Sequence, residues 1–390
     1  MTASVRYYRD LLGDRERIEA FRRAIGRAVQ PGDRVLDVGT GLGTFAFFAA
    51  QAGASAVWAV DGDPVVHVAK AIARLNGYDD RVRFVRGWLP DVEIGERVSV
   101  VVFEDFFPRL LDARTVRLLR TIREVMATPH ARYVPRGARW WAAPVSHEAL
   151  WAGVVEVPGG EDAYGVDWSA SREYIANSPV TIPIPARAVV ADPYEVGSVQ
   201  FAGTMENANV RRPAQWMLPS DTVIHGLAYW FDLDLGEGEW LSNAPGAKPG
   251  TWGHLFLPVD PPLVVPAGGM LEATVGVDRT PDDLPSWLRW EVRTGGERRR
   301  GHEFAAEPAS LGDLRTAAAD TVPRLSARGR RDLRILGLAD GRRSVEEIAR
   351  AVVEVEGLPM LEAQRLVVEA LRGEILREAP LLGHENDGRS

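Results

Sequence analysis

The stretch from residue 35 to 44, Val-Leu-Asp-Val-Gly-Thr-Gly-Leu-Gly-Thr, limits this chain more than any other. Arg34 to Val38 reads as a buried strand, because it is short, apolar and preceded by the breaker Pro31-Gly32-Asp33. Three glycines then alternate at 39, 41 and 43 ahead of an apolar helix. Glycines at such a turn let backbone N–H groups come close to a ligand, although a plain tight strand–helix turn uses them too. The next apolar run, Ala56 to Val60, ends at Asp61. A carboxylate placed about twenty residues on in this way can take both hydroxyls of a ribose. The unit is a strand, a glycine turn, a helix and a second strand, and it predicts a doubly wound parallel sheet.

The rest of the first ~140 residues agrees with that prediction. Arg15 to Val29 reads as a helix with Ile18, Phe21, Ala24 and Ile25 on one face. Pro64 to Asn76 is expected to be helical, Val82 to Arg86 and Val98 to Phe103 to be strands, and Ala113 to Met126 to be helical again. From about Ala138 the texture changes. Pro, Gly and Trp become frequent, and Arg139 to Pro144, Val180 to Pro185 and Val223 to Leu235 read as antiparallel strands, with a helical excursion over Glu161 to Ala176. A third texture starts near Ala305, where Leu311 to Arg377 reads as helical and Ser344-Val345-Glu346-Glu347 as a capping box. The expected division is 1–140, 141–300 with an arm at about 161–190, and 301–390.

Composition removes several kinds of chemistry. The chain has 390 residues and no cysteine, which excludes disulfides, iron–sulfur clusters and cysteine nucleophiles. Its 46 basic and 54 acidic side chains leave a net charge of −8, which argues against nucleic-acid binding through phosphate neutralisation. Lys70 and Lys248 are the only lysines, a bias expected of a GC-rich bacterial genome. No apolar run is long enough for a membrane span and the first residues carry no signal-peptide core, so a cytoplasmic location is expected. His67, His130, His147 and His302 show no ligand spacing, and no metal is expected.

Two classes share the glycine-turn geometry: dinucleotide enzymes and S-adenosylmethionine (SAM) methyltransferases. A dinucleotide fingerprint has its third glycine in G-x-G-x-x-G, whereas this chain has Gly39, Gly41 and Gly43 after Leu36-Asp37-Val38. The acidic strand and alternate glycines resemble the first motif of class I SAM methyltransferases. Further motifs resemble the protein arginine methyltransferases. Leu11-Leu12-Gly13-Asp14-Arg15-Glu16-Arg17 is similar to that family's M-L-x-D-x-x-R. Val85-Arg86-Gly87-Trp88-Leu89 is similar to the strand end whose backbone meets adenine, and His225 to Asp232 to its W-F-D strand. Ser242-Asn243-Ala244-Pro245 resembles its S-T-x-P, and Trp252 the tryptophan of its T-H-W loop. Tyr164-Gly165-Val166-Asp167 resembles the entry to the dimerisation arm. The resemblance spans about residues 5–280, with the motifs in order.

That resemblance implies a Rossmann-like SAM-binding domain, an antiparallel β-barrel with a helical dimerisation arm, and a head-to-tail homodimer. It also implies cofactor-binding roles for Arg17, Asp37, Gly39, Gly41, Gly43, Asp61, Gly87, Leu89 and Glu104, with Arg17 pairing the carboxylate of SAM. Departures fall at the acceptor end. The family's S-E-x(8)-E hairpin supplies two glutamates that hold a guanidinium. Here Glu104 supplies the first acid, Ala113 stands at the second position, and Asp112 lies one residue early. Thr251 replaces the histidine of the T-H-W loop, with His254 two residues past Trp252, and Pro90 replaces the usual adenine-binding glutamate. The candidate catalytic set is Glu104, Asp105, Asp112, Trp252 and His254. Glu104 or Asp112 would orient a substrate N–H, and Asp105 or His254 would accept a proton. His254 has an equally good reading as a structural histidine. Trp140-Trp141 reads as barrel core, and Trp151 and Trp168 as arm or interface.

After the barrel, Leu338-Ala339-Asp340-Gly341-Arg342-Arg343-Ser344-Val345-Glu346-Glu347-Ile348 looks like the small winged-helix domains that hold leader peptides in ribosomal peptide modification. A generic helical cap is the alternative. The expected function is SAM-dependent N-methylation of an arginine, histidine or similar nitrogen in a peptide or small metabolite of a bacterial natural-product pathway. The rival is a non-catalytic SAM-binding or peptide-binding relative, and a dehydrogenase is a third possibility.

Overall fold

The structure is a computed structural model that describes residues 5–89, 91–104, 113–159, 164–203, 213–247, 250–278, 287–308, 322 and 324–371. It forms two compact units, Met1–Pro308 and Ala309–Ser390. Helix α1 (Val5–Gly13) buries none of its residues, whereas α2 (Arg15–Ala28) buries Phe21, Ala24 and Ile25. The break between them is Asp14, whose carboxylate accepts the Arg17 N–H and caps α2.

There follow β1 (Arg34–Val38), α3 (Thr44–Gln51), β2 (Ala56–Asp61), α4 (Val66–Asn76), β3 (Val82–Arg86), β4 (Val98–Phe103) and α5 (Ala113–Thr121). A π-turn over Ile122–Met126 extends α5 and leads into β5 (Ala127–Val134), a strand the sequence patterning does not announce. These five strands form one parallel sheet ordered β3-β2-β1-β4-β5. Helices cover both faces, so Val35, Leu36, Val57, Ala59, Val100, Val101 and Val102 are all buried. Strand order reverses between β1 and β4. The glycine turn and Glu104 therefore emerge side by side at the carboxyl ends of the strands, the crevice where such sheets bind ligands.

The chain continues through β6 (Gly137–Val145), α6 (Glu148–Val155), α7 (Arg172–Ala176), β7 (Val180–Ile182), β8 (Tyr194–Gln200), β9 (Ala214–Met217), β10 (Thr222–Gly236) and β11 (Glu239–Ser242). It ends the unit with β12 (His254–Val265), β13 (Met270–Asp278), β14 (Trp287–Thr294) and β15 (Glu297–His302). Residue 140, where the texture changes, lies inside β6. The long β10 is the spine of a sheet ordered β7-β12-β10-β6-β8, with β11 folded back on it. A second antiparallel sheet runs β15-β14-β13-β9. Among the described residues the barrel expected from the sequence is thus two antiparallel sheets, not one closed ladder. Among the described residues of the expected excursion, Ser169–Ser171 is a 3₁₀ turn and Arg172–Ala176 is α7, and α6 adds a helix that the patterning does not announce.

One apolar core runs from Phe21 and Phe45, stacked at 4.7 Å, through Phe103 and Phe201, edge to face at 5.8 Å, to the buried Trp140 and Tyr229. The parallel sheet and the antiparallel part of this unit therefore share a core, which fixes the crevice between them.

The second unit contains α8 (Ala327–Leu338), α9 (Val345–Glu356) and α10 (Met360–Leu371) around Ile335, Ile348, Val352, Ala363 and Val367. The capping box is present: Ser344 Oγ accepts the Glu347 N–H at 3.2 Å and Glu347 accepts the Ser344 N–H at 2.7 Å. Helix begins at Ala327 and breaks at Ala339–Ser344 and Gly357–Pro359, so the expected Leu311 to Arg377 helix is three short ones within its described part. No strand occurs among the described residues of this unit, so the wing of a winged helix is not among them. No helix of the described residues is long and apolar enough to cross a membrane.

Candidate active site

The glycine turn is wired to the strand ends on either side. Gly39 and Thr40 donate their N–H groups to the Val60 carbonyl at 2.9 and 3.1 Å. Gly41 donates to Asp61 Oδ2 at 2.8 Å, and Asp63 donates to Asp61 Oδ1 at 2.8 Å. Each Asp61 oxygen keeps a lone pair, which suits it to accept two hydroxyl donors at once. Burial holds the Asp61 carboxyl above its ordinary pKa. Gly41 and Gly43 both have positive φ, 53° and 86°. Space also demands glycine there, since a Cβ at 41 would lie 2.7 Å from the Tyr8 ring and one at 43 would lie 2.8 Å from Phe84.

Asp37 sits beneath the turn, 1% exposed, and accepts the Thr40 hydroxyl at 2.6 Å. Burial is the main cause that pushes its pKa up to about 7, against the lowering effect of that hydrogen bond. At neutral pH it is poised between acid and carboxylate. Its place is under the loop, where it braces the turn.

Arg17 is the centre of the site. It is 4% exposed, and its Nη1 lies 3.0 Å from Glu104 Oε1 while Nη2 donates to the Leu11 carbonyl at 2.9 Å. Its guanidinium carbon stands 5.8 Å from the ring centroids of both Phe45 and Trp252. Nε is buried and makes no hydrogen bond. Asp14 Oδ2 stands 3.9 Å from it, beyond hydrogen-bond reach, so a ligand carboxylate at the glycine turn could supply the missing acceptor. Tyr8, Arg17, Gly39, Gly41, Phe45 and Glu104 line a cavity of about 50 Å³ at this point.

Trp252 joins the site from the antiparallel part. It packs edge to face on Phe231 at 5.2 Å. The preceding Thr251 gives both its N–H and its hydroxyl to Asp14 Oδ2, at 2.8 and 2.9 Å. Asp14, which the candidate list lacks, thus caps α2 and ties the tryptophan loop to it. The signal was present in Asp14-x-x-Arg17, an N-cap placed three residues before a buried arginine.

The structure brings together Arg17, Asp37, Gly39, Gly41, Gly43, Asp61, Glu104 and Trp252. Gly87 donates its N–H to the Asp61 carbonyl at 2.9 Å, and Leu89 packs on the core beyond it. His254 is held differently. Its Nδ1 accepts the Ile184 N–H at 2.8 Å, and burial lowers its pKa, which favours the neutral ring. That geometry suits the structural reading of His254. Asp105 and Asp112 lie outside the described residues. No cluster of metal-binding type occurs among the described residues.

Comparison with known proteins agrees with this layout. A family model for ribosomal protein L11 methyltransferase (PrmA) matches residues 20–104, which hold four of the five parallel strands. A probable protein arginine N-methyltransferase 6 of Arabidopsis thaliana is 29% identical over 242 residues, covering 60% of this chain and 55% of its own. The arginine N(omega)-methyltransferase of Streptomyces achromogenes subsp. streptozoticus is 28% identical over 277 residues, covering 70% and 76%. The chain thus spans about half the length of the Arabidopsis relative. Among solved structures, the Trypanosoma brucei PRMT1 enzyme–prozyme heterotetrameric complex with AdoHcy superposes with a TM-score of 0.64 at 22% identity, over 76% of this chain and 97% of that one. Arabidopsis thaliana protein arginine methyltransferase 10 does so with a TM-score of 0.62 at 22% identity, over 76% and 97%. The chain is thus similar to arginine methyltransferases in sequence, and its fold is like that of the two solved arginine methyltransferase structures.

Proposed function

We propose that this chain is a SAM-dependent N-methyltransferase that acts on a guanidinium or similar side-chain nitrogen. The observation that carries the reading is the Arg17–Glu104 pair at the switch point, 3.0 Å apart between the glycine turn and Trp252. Arg17 and the turn would hold the aminoacid end of the cofactor and Asp61 its ribose. The cofactor supplies the electrophilic methyl group, and the chain has only to hold a nitrogen lone pair in line with it. Glu104 is the acid placed to orient that nitrogen by accepting its N–H, with Asp112 as the proposed second acid. The expected acceptor is an arginine-like group on a peptide or small metabolite of a bacterial natural-product pathway. We further propose a cytoplasmic homodimer formed through the arm, with the C-terminal helices contacting a peptide acceptor.

The reading is tested by titrating the purified full chain with SAM and S-adenosylhomocysteine in a calorimeter, then by mass spectrometry of arginine and arginine-containing peptides incubated with SAM. Binding of both ligands and addition of methyl groups are expected. Absence of binding by either ligand would end the reading.

A further inference from the structure

We infer that the indole of Trp88 is the platform on which the base of the nucleoside stacks, replacing recognition by hydrogen bonds. This rests on the proposed function, and it follows from where the sheet order puts each part of such a ligand. The methionine end lies at β1 and β4, by the turn and Arg17. The ribose lies at the end of β2, on Asp61. A base attached to that ribose points onward to the end of β3, where Trp88 follows Gly87.

At that place the indole lies flat across Gly62, the residue after Asp61. A Cβ on Gly62 would sit 2.2 Å from Cε2 and 2.5 Å from Cζ2 of the Trp88 ring. Gly62 is not among the residues with positive φ, so space and not backbone conformation calls for glycine. The strand ends are locked together as well, with Asp61 in register with Arg86 and Gly87 donating to the Asp61 carbonyl at 2.9 Å. The ring is 38% exposed, unusually wet for a tryptophan clamped in place. A glycine thus makes room for an indole beside the ribose acid, and the indole keeps a surface open. The proline at position 90 has no polar side-chain atom with which to read a base. Stacking accepts any purine because every base has a π-face.

The test is calorimetric titration of the full chain with S-adenosylhomocysteine and with its deaminated analogue S-inosylhomocysteine. Wild type should bind the two within about 5-fold of each other, whereas a site that reads the amino group would separate them far more widely. Trp88→Ala should weaken S-adenosylhomocysteine about 10- to 100-fold, the scale of one aromatic–base stack, and Trp88→Phe should restore most of that loss. Gly62→Ala, which evicts the indole, should weaken binding to a similar extent. Unchanged or tighter binding in Trp88→Ala, or a strong preference for the amino-bearing ligand, would overturn the inference. If wild type binds neither ligand, the failure belongs to the proposed function instead.

Discussion

Asp37 offers a measurement whose size follows from its burial. Its carboxyl titrates at about 7 in the folded chain, against about 3.9 for an exposed aspartate. The folded state therefore binds the proton more tightly than the unfolded state. Stability from this group is full below the unfolded pKa and is lost as pH rises towards the folded value. Integrated from about pH 5 to about pH 8, the loss is about 2.5 kcal/mol. Asp37→Asn keeps the shape and removes the titration. The difference in stability between wild type and variant isolates the group, because every other titration cancels. For a compact unit of about 300 residues, an unfolding entropy of about 2 cal/mol/K per residue turns 2.5 kcal/mol into about 4 °C. Melting followed by calorimetry at both pH values should show the wild type losing about 4 °C relative to Asp37→Asn between them. A parallel dependence in the two proteins, or a change of the opposite sign, would show that Asp37 stays ionised when folded.

The remaining expectations concern the site. Arg17→Ala should weaken S-adenosylhomocysteine by at least about 10-fold, since it removes a buried guanidinium that pairs an anion; unchanged affinity in a titration would refute its role. Glu104→Gln should lower turnover about 100-fold or more while leaving cofactor affinity within a few-fold, and retained activity would place the acceptor elsewhere. Thr251→Val removes the hydroxyl but keeps the N–H to Asp14, so the fold should lose about 1 kcal/mol by melting, and a neutral result would show the hydroxyl contact to be idle. His254→Asn should leave the pH profile of turnover in place, whereas loss of its basic limb would make His254 the proton acceptor after all.

Much of the sheet was legible because its signals are local. Arg34 to Val38 and Val98 to Phe103 coincide with β1 and β4, since a strand buried on both faces reads as a mostly apolar run closed by breakers. Asp14 was harder to read. Its partners on Thr251 lie 237 positions away, and no pattern of period two or 3.6 reports a contact at that separation. Strand β5 hid behind a π-turn, where Ile122 to Met126 continues a helical pattern until Ala127. The antiparallel strands of the barrel were legible, whereas closure was not, because alternation announces antiparallel strands without saying whether the last pairs with the first. Of the site, the glycines, Asp61 and Arg17 were visible as motifs, while Gly62 under Trp88 was not, since a glycine needed for space leaves no turn signature.

The charges around the crevice bear on what it accepts. Arg17 is the buried cation, and it faces Glu104 at 3.0 Å and Asp14 at 3.9 Å, with the Asp14 side chain only 7% exposed. Both partners that Thr251 presents to Asp14 are neutral donors, where a histidine could bring a second cation. The neutral donors stabilise the carboxylate without cancelling it, so the Asp14 and Glu104 carboxylates share the one Arg17 guanidinium, and Asp61 lies on the other side of the glycine turn. Carboxylates in excess of cations in a partly desolvated crevice favour a cationic ligand. On the proposed function, a sulfonium at the glycine turn and a guanidinium at Glu104 would supply two positive charges. Once the methyl group has moved and the proton displaced from the nitrogen has passed to solvent, the sulfonium would be a neutral thioether while the acceptor would keep its single charge. The site then holds one cation fewer, which favours release of the demethylated cofactor before the methylated product. Product inhibition by S-adenosylhomocysteine that is competitive with SAM should strengthen as ionic strength rises, because screening weakens the carboxylates' preference for the sulfonium and narrows the gap between the two ligands; inhibition that weakens with salt would run against this electrostatic ordering.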